Sequence, residues 1–349
     1  MRRRPLLVAL PCLALAPRTW ALPARRLSFP ADHGAHPAFR TEWWYITGHA
    51  QAGERSFGFQ VTFFRSRVEA TQALQSKFAA KQLLFAHAAV TDVQGGRLRH
   101  DQRIARAGFG IAEAATGDGQ LRLRDWSLAR EGGAWHAVLP AGDFALDLRC
   151  APTQPVLLQG AQGLSRKGPK PEQASYYYSE PQLAVTGRLT LQGRPFEVAG
   201  KAWMDHEISD EYLPAEAAGW DWIGMNLDDG SALMAFRIRR PDGSTLWDGS
   251  TFRSARGDLY VASPGETEFR PGRRWKSPLT NASYPVEWIV RTPADFYTVR
   301  ALVENQELDS RGSTGAIYWE GLSELLDGNG RRVGKGYLEM TGYAAKLKM

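Results

Sequence analysis

The run Trp203-Met204-Asp205-His206-Glu207, followed by Trp220-Asp221-Trp222, sets carboxyls and an imidazole among indoles. A carboxyl enclosed by aromatic rings loses its water. Desolvation disfavours its charged form, so it keeps a proton near neutral pH. Such an acid can protonate an alkene carbon. Aromatic faces can then stabilise the carbocation, and a base can deprotonate the water that adds. That chemistry calls for neither a metal nor an organic cofactor. Successive side chains on a strand point to opposite faces. Asp205 therefore shares a face with Trp203 and Glu207, and His206 could join it only at a bulge or strand end. Asp205 is the first choice as proton donor, with His206 as the second catalytic candidate. Trp203, Trp220 and Trp222 are expected to wall the substrate. Asp221 points away from its two flanking indoles and is the weaker candidate there. The competing reading makes Asp205 and His206 a structural polar pair.

Two further clusters qualify. Asp32-His33-Gly34-Ala35-His36-Pro37 leads into Glu42-Trp43-Trp44-Tyr45, and Tyr176-Tyr177-Tyr178 precedes Ser179. Glu42 and Trp44 either line the substrate cavity or plug one end of a barrel. Tyr177 belongs to a strand or to the cavity rim. The H-x-x-H spacing of His33 and His36 lacks a convincing third ligand, so loop hydrogen bonding is favoured over a metal site.

The elements that must position these groups are strands. Phe57, Phe59, Val61 and Phe63 alternate with Gly58, Gln60 and Thr62. The same period of two recurs at Leu121–Arg124, Phe144–Arg149, Arg188–Gln192 and Ala232–Ile238, the mark of strands with one buried face. Turn signals such as Gly95-Gly96, Gly132-Gly133 and Pro241-Asp242-Gly243 separate them. Only 66–82, rich in Ala, Gln and Lys, reads as helical, and 160–175 reads as a long loop of the kind that often serves function. Many short strands mean a sandwich or barrel. A faint repeat supports two similar halves: Glu42-Trp43-Trp44-Tyr45 early, Tyr318-Trp319-Glu320-Gly321 and Tyr337-Leu338-Glu339 late. The expected division is 25–212 and 213–349, at Leu213-Pro214.

Residues 1–24 read as a signal peptide. Arg2, Arg3 and Arg4 precede the short apolar run Pro5–Ala16, and the Arg-Arg pair also suits a twin-arginine route. The formal charge of +6 falls to +2 once the four arginines of that segment leave with no acid among them. Nothing in the charge pattern indicates nucleic acid. Cys12 would leave too, so Cys150 has no partner for a disulfide. The 12 tryptophans suit a cavity that is walled and still meets water.

Taken in order, Asp-His-Gly-Ala-His-Pro, Glu-Trp-Trp-Tyr, Tyr-Tyr-Ser, Trp-Met-Asp-His-Glu and Gly-Trp-Asp-Trp resemble the carotenoid 1,2-hydratase (hydroxyneurosporene synthase) family. The closer resemblance is to its exported AttH-like branch, from about Asp32 to Tyr343. The resemblance implies an all-β fold of two packed lipocalin-like antiparallel barrels. It implies either a cofactor-free hydratase acting on a long apolar or isoprenoid substrate, or a non-catalytic carrier. The carrier would hand a lipid or hydrophobic metabolite to or from an ABC-type transporter. A purely structural role stands behind both. Cell fractionation should find a chain beginning at Leu22 or Arg25 in the periplasm or outside the cell. Recovery of the full-length chain from the cytoplasm would contradict this.

Overall fold

A computed structural model of the chain describes residues 22–211 and 213–347. The expected signal segment, except residues 22–24, lies outside the described residues. The fold is nearly all β. Among the described residues the helical element is a single 3-10 turn, Glu69–Thr71. The helix expected over 66–82 does not form. Ser66 and Arg67 continue a strand, paired with Leu83 and Gln82. Residues 73–78 are exposed, so a helix there would have no apolar face to pack. The expected loop 160–175 also contains a short strand, Leu164–Arg166.

Among the described residues the strands form two large antiparallel sheets, one of 13 strands and one of 10, and a two-stranded ribbon of Arg274–Lys276 with Ser283–Pro285. The first curls into a nearly closed barrel, the last two strands at one end of its order, Gln82–Asp92 and Arg97–Arg106, reaching Ala112–Ala114 and Gln120–Leu123 at the other. Residues 210–218 link it to the second sheet. Nine strands frame the space between the sheets. From the first come β1 (Thr41–Ala52), β2 (Arg55–Arg67), β3 (Gln82–Asp92), β4 (Ala174–Leu191) and β5 (Arg194–Ser209). From the second come β6 (Gly219–Leu227), β7 (Ala232–Arg239), β8 (Ala316–Leu326) and β9 (Arg332–Met340).

Alternation along these strands makes two-sided sheets. Trp44 and Ile46 on β1, Phe57 to Phe63 on β2, and Ala202 and Met204 on β5 fill the core of the first sheet. Ile223 and Met225 on β6, Trp319 on β8, and Leu338 and Met340 on β9 fill that of the second. The intervening residues are buried as well, because they face the other sheet; Trp43, Tyr45, Trp203, Trp222 and Tyr337 form a third apolar cluster there. Polar ties cross the gap. Gln60 Nε2 donates to the Tyr318 hydroxyl at 3.1 Å, and Asn226 Nδ2 to the Ala202 carbonyl at 3.0 Å.

The central pairing is tight where β5 passes β1. Gly200 pairs with Ala50, and a Cβ at Gly200 would lie 1.9 Å from the His49 carbonyl oxygen. Backbone cannot give way as a side-chain tip can, so Gly200→Ala should destabilise the fold by about 1–3 kcal/mol, the usual penalty of overpacking. A thermal melt should fall by several degrees; an unchanged midpoint would show that the strands can part there freely.

Candidate active site between the two sheets

A cavity of about 620 Å³ lies where the two sheets face each other. Trp43 and Tyr45 (β1), Thr62 and Phe64 (β2), Tyr177 (β4), and Asp205 and Glu207 (β5) line one side. Trp220 and Trp222 (β6), Tyr318 and Glu320 (β8), and Glu339 (β9) line the other. Arg40, Asp210, Glu211 and Lys346 also border it.

Asp205 is the most closely held group. Its Oδ1 accepts from Ser179 Oγ at 2.5 Å and from the Trp203 indole nitrogen at 2.7 Å; its Oδ2 accepts from the Tyr177 hydroxyl at 2.8 Å. Two of these donors are themselves aimed by a third group. Gln159 Nε2 donates to Ser179 Oγ at 2.7 Å, and Trp222 Nε1 to the Tyr177 hydroxyl at 3.1 Å, so each hydroxyl turns its own hydrogen toward Asp205. Register explains the convergence: on β5, Asp205 pairs with Tyr45 of β1 on one side and Ser179 of β4 on the other. Burial pushes the Asp205 carboxyl up, the three donors pull it back, and it settles at about 7. It can therefore both hold and release a proton near neutral pH. Glu207, two residues on, accepts from Ser175 Oγ and pairs with Lys167 Nζ at 2.9 Å. Lys167 comes from the 160–175 segment.

The other expected site residues divide by strand parity. Tyr177, Trp220 and Trp222 line the cavity, and Trp203 reaches Asp205. His206, Glu42, Trp44 and Asp221 do not line it. No bulge interrupts β5 at 205–206, so His206 points into the first barrel, stacked on Trp44 with centroids 4.6 Å apart. Glu42 is fully buried in that same barrel end, and its neighbour Trp43, not Trp44, faces the cavity. Asp221 turns away, held by Arg237 Nε at 2.7 Å, Arg239 Nε at 3.0 Å and the Tyr343 hydroxyl at 2.8 Å. Glu320 and Glu339 were missed. Both stood in the late repeat beside tryptophan and tyrosine, but only the pairing of β8 with β9 reveals that they share a face.

The barrel-end network is a plug. Glu42 accepts from His36 Nδ1 at 2.6 Å, His206 Nε2 at 2.9 Å and Arg65 Nε at 2.9 Å. His36 Nε2 meets Asp32 Oδ1 at 2.8 Å, and the Tyr178 hydroxyl bridges His33 and His206. His36, Glu42 and His206 are close enough to surround an ion. Their ring nitrogens and oxygens are already engaged with one another, and the Arg65 guanidinium supplies the counter-charge. Nothing in this donor set calls for a metal. Burial opposes charging His36, but the hydrogen bonds to Asp32 and Glu42 prevail and raise it from 6.5 to about 9. Its contribution to stability is therefore complete below pH 6.5 and is lost as pH rises through about 9. Thermal melts should show the wild-type midpoint falling across that window and His36→Gln falling less. The difference should be on the order of 3 kcal/mol at most, at about 1.4 kcal/mol per pKa unit. Parallel curves would remove His36 as the cause.

No curated protein matches the chain. A candidate AttH from Nitrosomonas europaea, known from its crystal structure, is 47% identical, with a TM-score of 0.86 over 93% of this chain and 99% of that one. Kievitone hydratase from Nectria haematococca shares the fold at 14% identity, with a TM-score of 0.71 over 92% and 94% of the two chains. CghA, solved with Sch210972, is 13% identical at a TM-score of 0.50 over 87% and 89%. The AttH-like family profile matches residues 20–343, and the chain belongs to that family.

Proposed function

We propose that this protein is a cofactor-free, hydratase-like enzyme that moves a proton at Asp205 on a long apolar or isoprenoid substrate enclosed between the two sheets. The observation that carries this reading is the Asp205 carboxyl: buried beside indoles, fixed by three oriented donors, and poised at about 7. A purely structural aspartate needs partners, but it gains nothing from facing a cavity of about 620 Å³. Addition of water to a C=C bond suits the setting, because Trp43, Trp220 and Trp222 can stabilise positive charge on carbon. The fold shared with a protein named kievitone hydratase adds support at the level of architecture.

The second reading, an exported carrier working with an ABC-type transporter, draws on the aromatic walls alone and leaves the donors on Asp205 unexplained. Native mass spectrometry followed by organic extraction of the purified protein should release an apolar molecule, which then serves as substrate or lead. On that molecule Asp205→Asn should reduce turnover by about 10²–10⁴-fold, the usual worth of a general acid or base. Binding should stay within a few-fold, since the apolar contacts remain. An asparagine amide must turn its NH2 toward one of the three donors, so some loss of stability accompanies the change and is read from a parallel melt. Turnover unchanged in Asp205→Asn would end the catalytic reading; no turnover in the wild type with intact binding would favour the carrier.

A further inference from the structure

The wall opposite Asp205 carries a second carboxyl pair. Glu320 of β8 and Glu339 of β9 are direct cross-strand partners, and Glu339 is also paired with Trp222 of β6. Cross-strand partners hold their Cβ atoms about 4.5–5.5 Å apart on one face, and both side chains line the cavity. Glu320 is 1% exposed, and neither of its carboxyl oxygens has a hydrogen-bond partner. The Tyr45 hydroxyl comes close enough to interact with it but closes no hydrogen bond of ordinary geometry. Its other titratable neighbours are Glu339, Tyr318 and Tyr337. Glu339 is met by the Trp220 side chain and feels Asp205 and Glu207. Lys167 is engaged by Glu207.

A buried carboxylate without donors is very costly, and two side by side cannot both ionise. Asp205 differs: three oriented hydrogen bonds favour its charged form. We propose that Glu320 and Glu339 hold one proton between them and present it to the cavity as the acid, with Asp205 opposite as the base. This rests on the hydratase-like reading and reassigns the proton within it. In the hydration sense, the proton of the glutamate pair forms a C–H bond with one alkene carbon, using the π electrons and leaving a cation on the other. Water oxygen forms the C–O bond to that cation, and Asp205 takes the proton that water loses. Water has then been added, and the proton on Asp205 returns to the pair through solvent. Burial raises both glutamates: Glu339, which also feels Asp205 and Glu207, to about 7, and Glu320, which faces the Glu339 carboxyl, well above the usual range. Contrasting carboxyl environments of this kind are how acid and base are told apart.

Infrared spectroscopy of the intact, ligand-free protein tests this through the carbonyl stretch of protonated carboxyls. Wild type should keep such a band above about pH 8, where ordinary carboxyls have lost it. The band should shift within seconds of transfer to D2O, because the proton faces the cavity. Glu320→Gln should remove its high-pH part, since Glu320 is the carboxyl buried without a donor, and Glu339→Gln should lower the pH at which the band is lost, since Glu320 then loses its like-charged neighbour but keeps its burial. Asp205→Asn should keep the band. Absence of the band in wild type overturns the proposal before any variant is made. A band whose pH dependence is unchanged in both glutamine variants, or one that resists exchange for hours as a sealed structural pair would, overturns it too. Because no substrate is used, the result is independent of whether Asp205→Asn affects turnover.

Discussion

Burying a carboxyl without a counter-charge is among the more expensive things a fold can do, and three carboxyls near the cavity and the barrel end meet that demand differently. Glu42 is neutralised by Arg65 and the His36 imidazolium at the end of the first barrel, and His206 donates to it a further hydrogen bond. Asp221 is neutralised by Arg237 and Arg239. Asp205 is given no cation, only hydrogen-bond donors arranged so that two hydroxyls are forced to donate to it. The first two solutions fix charge permanently and suit a structural role. The third leaves the protonation state open, which is what proton transfer requires. The cavity's chemistry follows from which solution each carboxyl received.

Strand parity decides that allocation. Asp205 and His206 are neighbours in sequence and belong to different interiors, one to the gap between the sheets and one to the barrel. The alternation was readable for β5, where Trp203, Asp205 and Glu207 share a face. It was equally readable for Trp43 against Trp44, yet nothing in the residues themselves says which face meets the cavity when both are apolar. Both faces of the strands that frame the gap are buried, so the usual contrast of polar outside with apolar inside is missing there. The β class and the turns were legible because period-two patterns and Gly-rich turns are local. Glu320 and Glu339 were not, because their meaning depends on a pairing between strands. The segment 66–82 misled through composition alone; helix-favouring residues cannot hold a helix that has nothing to pack against.

The second sheet does more than close the gap. Trp222 donates through the Tyr177 hydroxyl to Asp205, so an indole on one sheet sets the hydrogen-bond direction of a carboxyl on the other. Gly224 makes room for this, since a Cβ there would lie 2.4 Å from the Trp222 ring and 3.2 Å from Trp203. The aromatic residues around Asp205 are thus wiring as well as walls.

The chain crosses between the sheets at residues 210–218, while the cavity draws its lining from both. A molecule lodged there touches two separately cored bodies at once. Its binding free energy is then shared as adhesion between them, growing with occupancy as RT ln(1 + [L]/Kd). Filling the cavity should add to the ties that already cross the gap, so that the two cores melt more nearly as one unit.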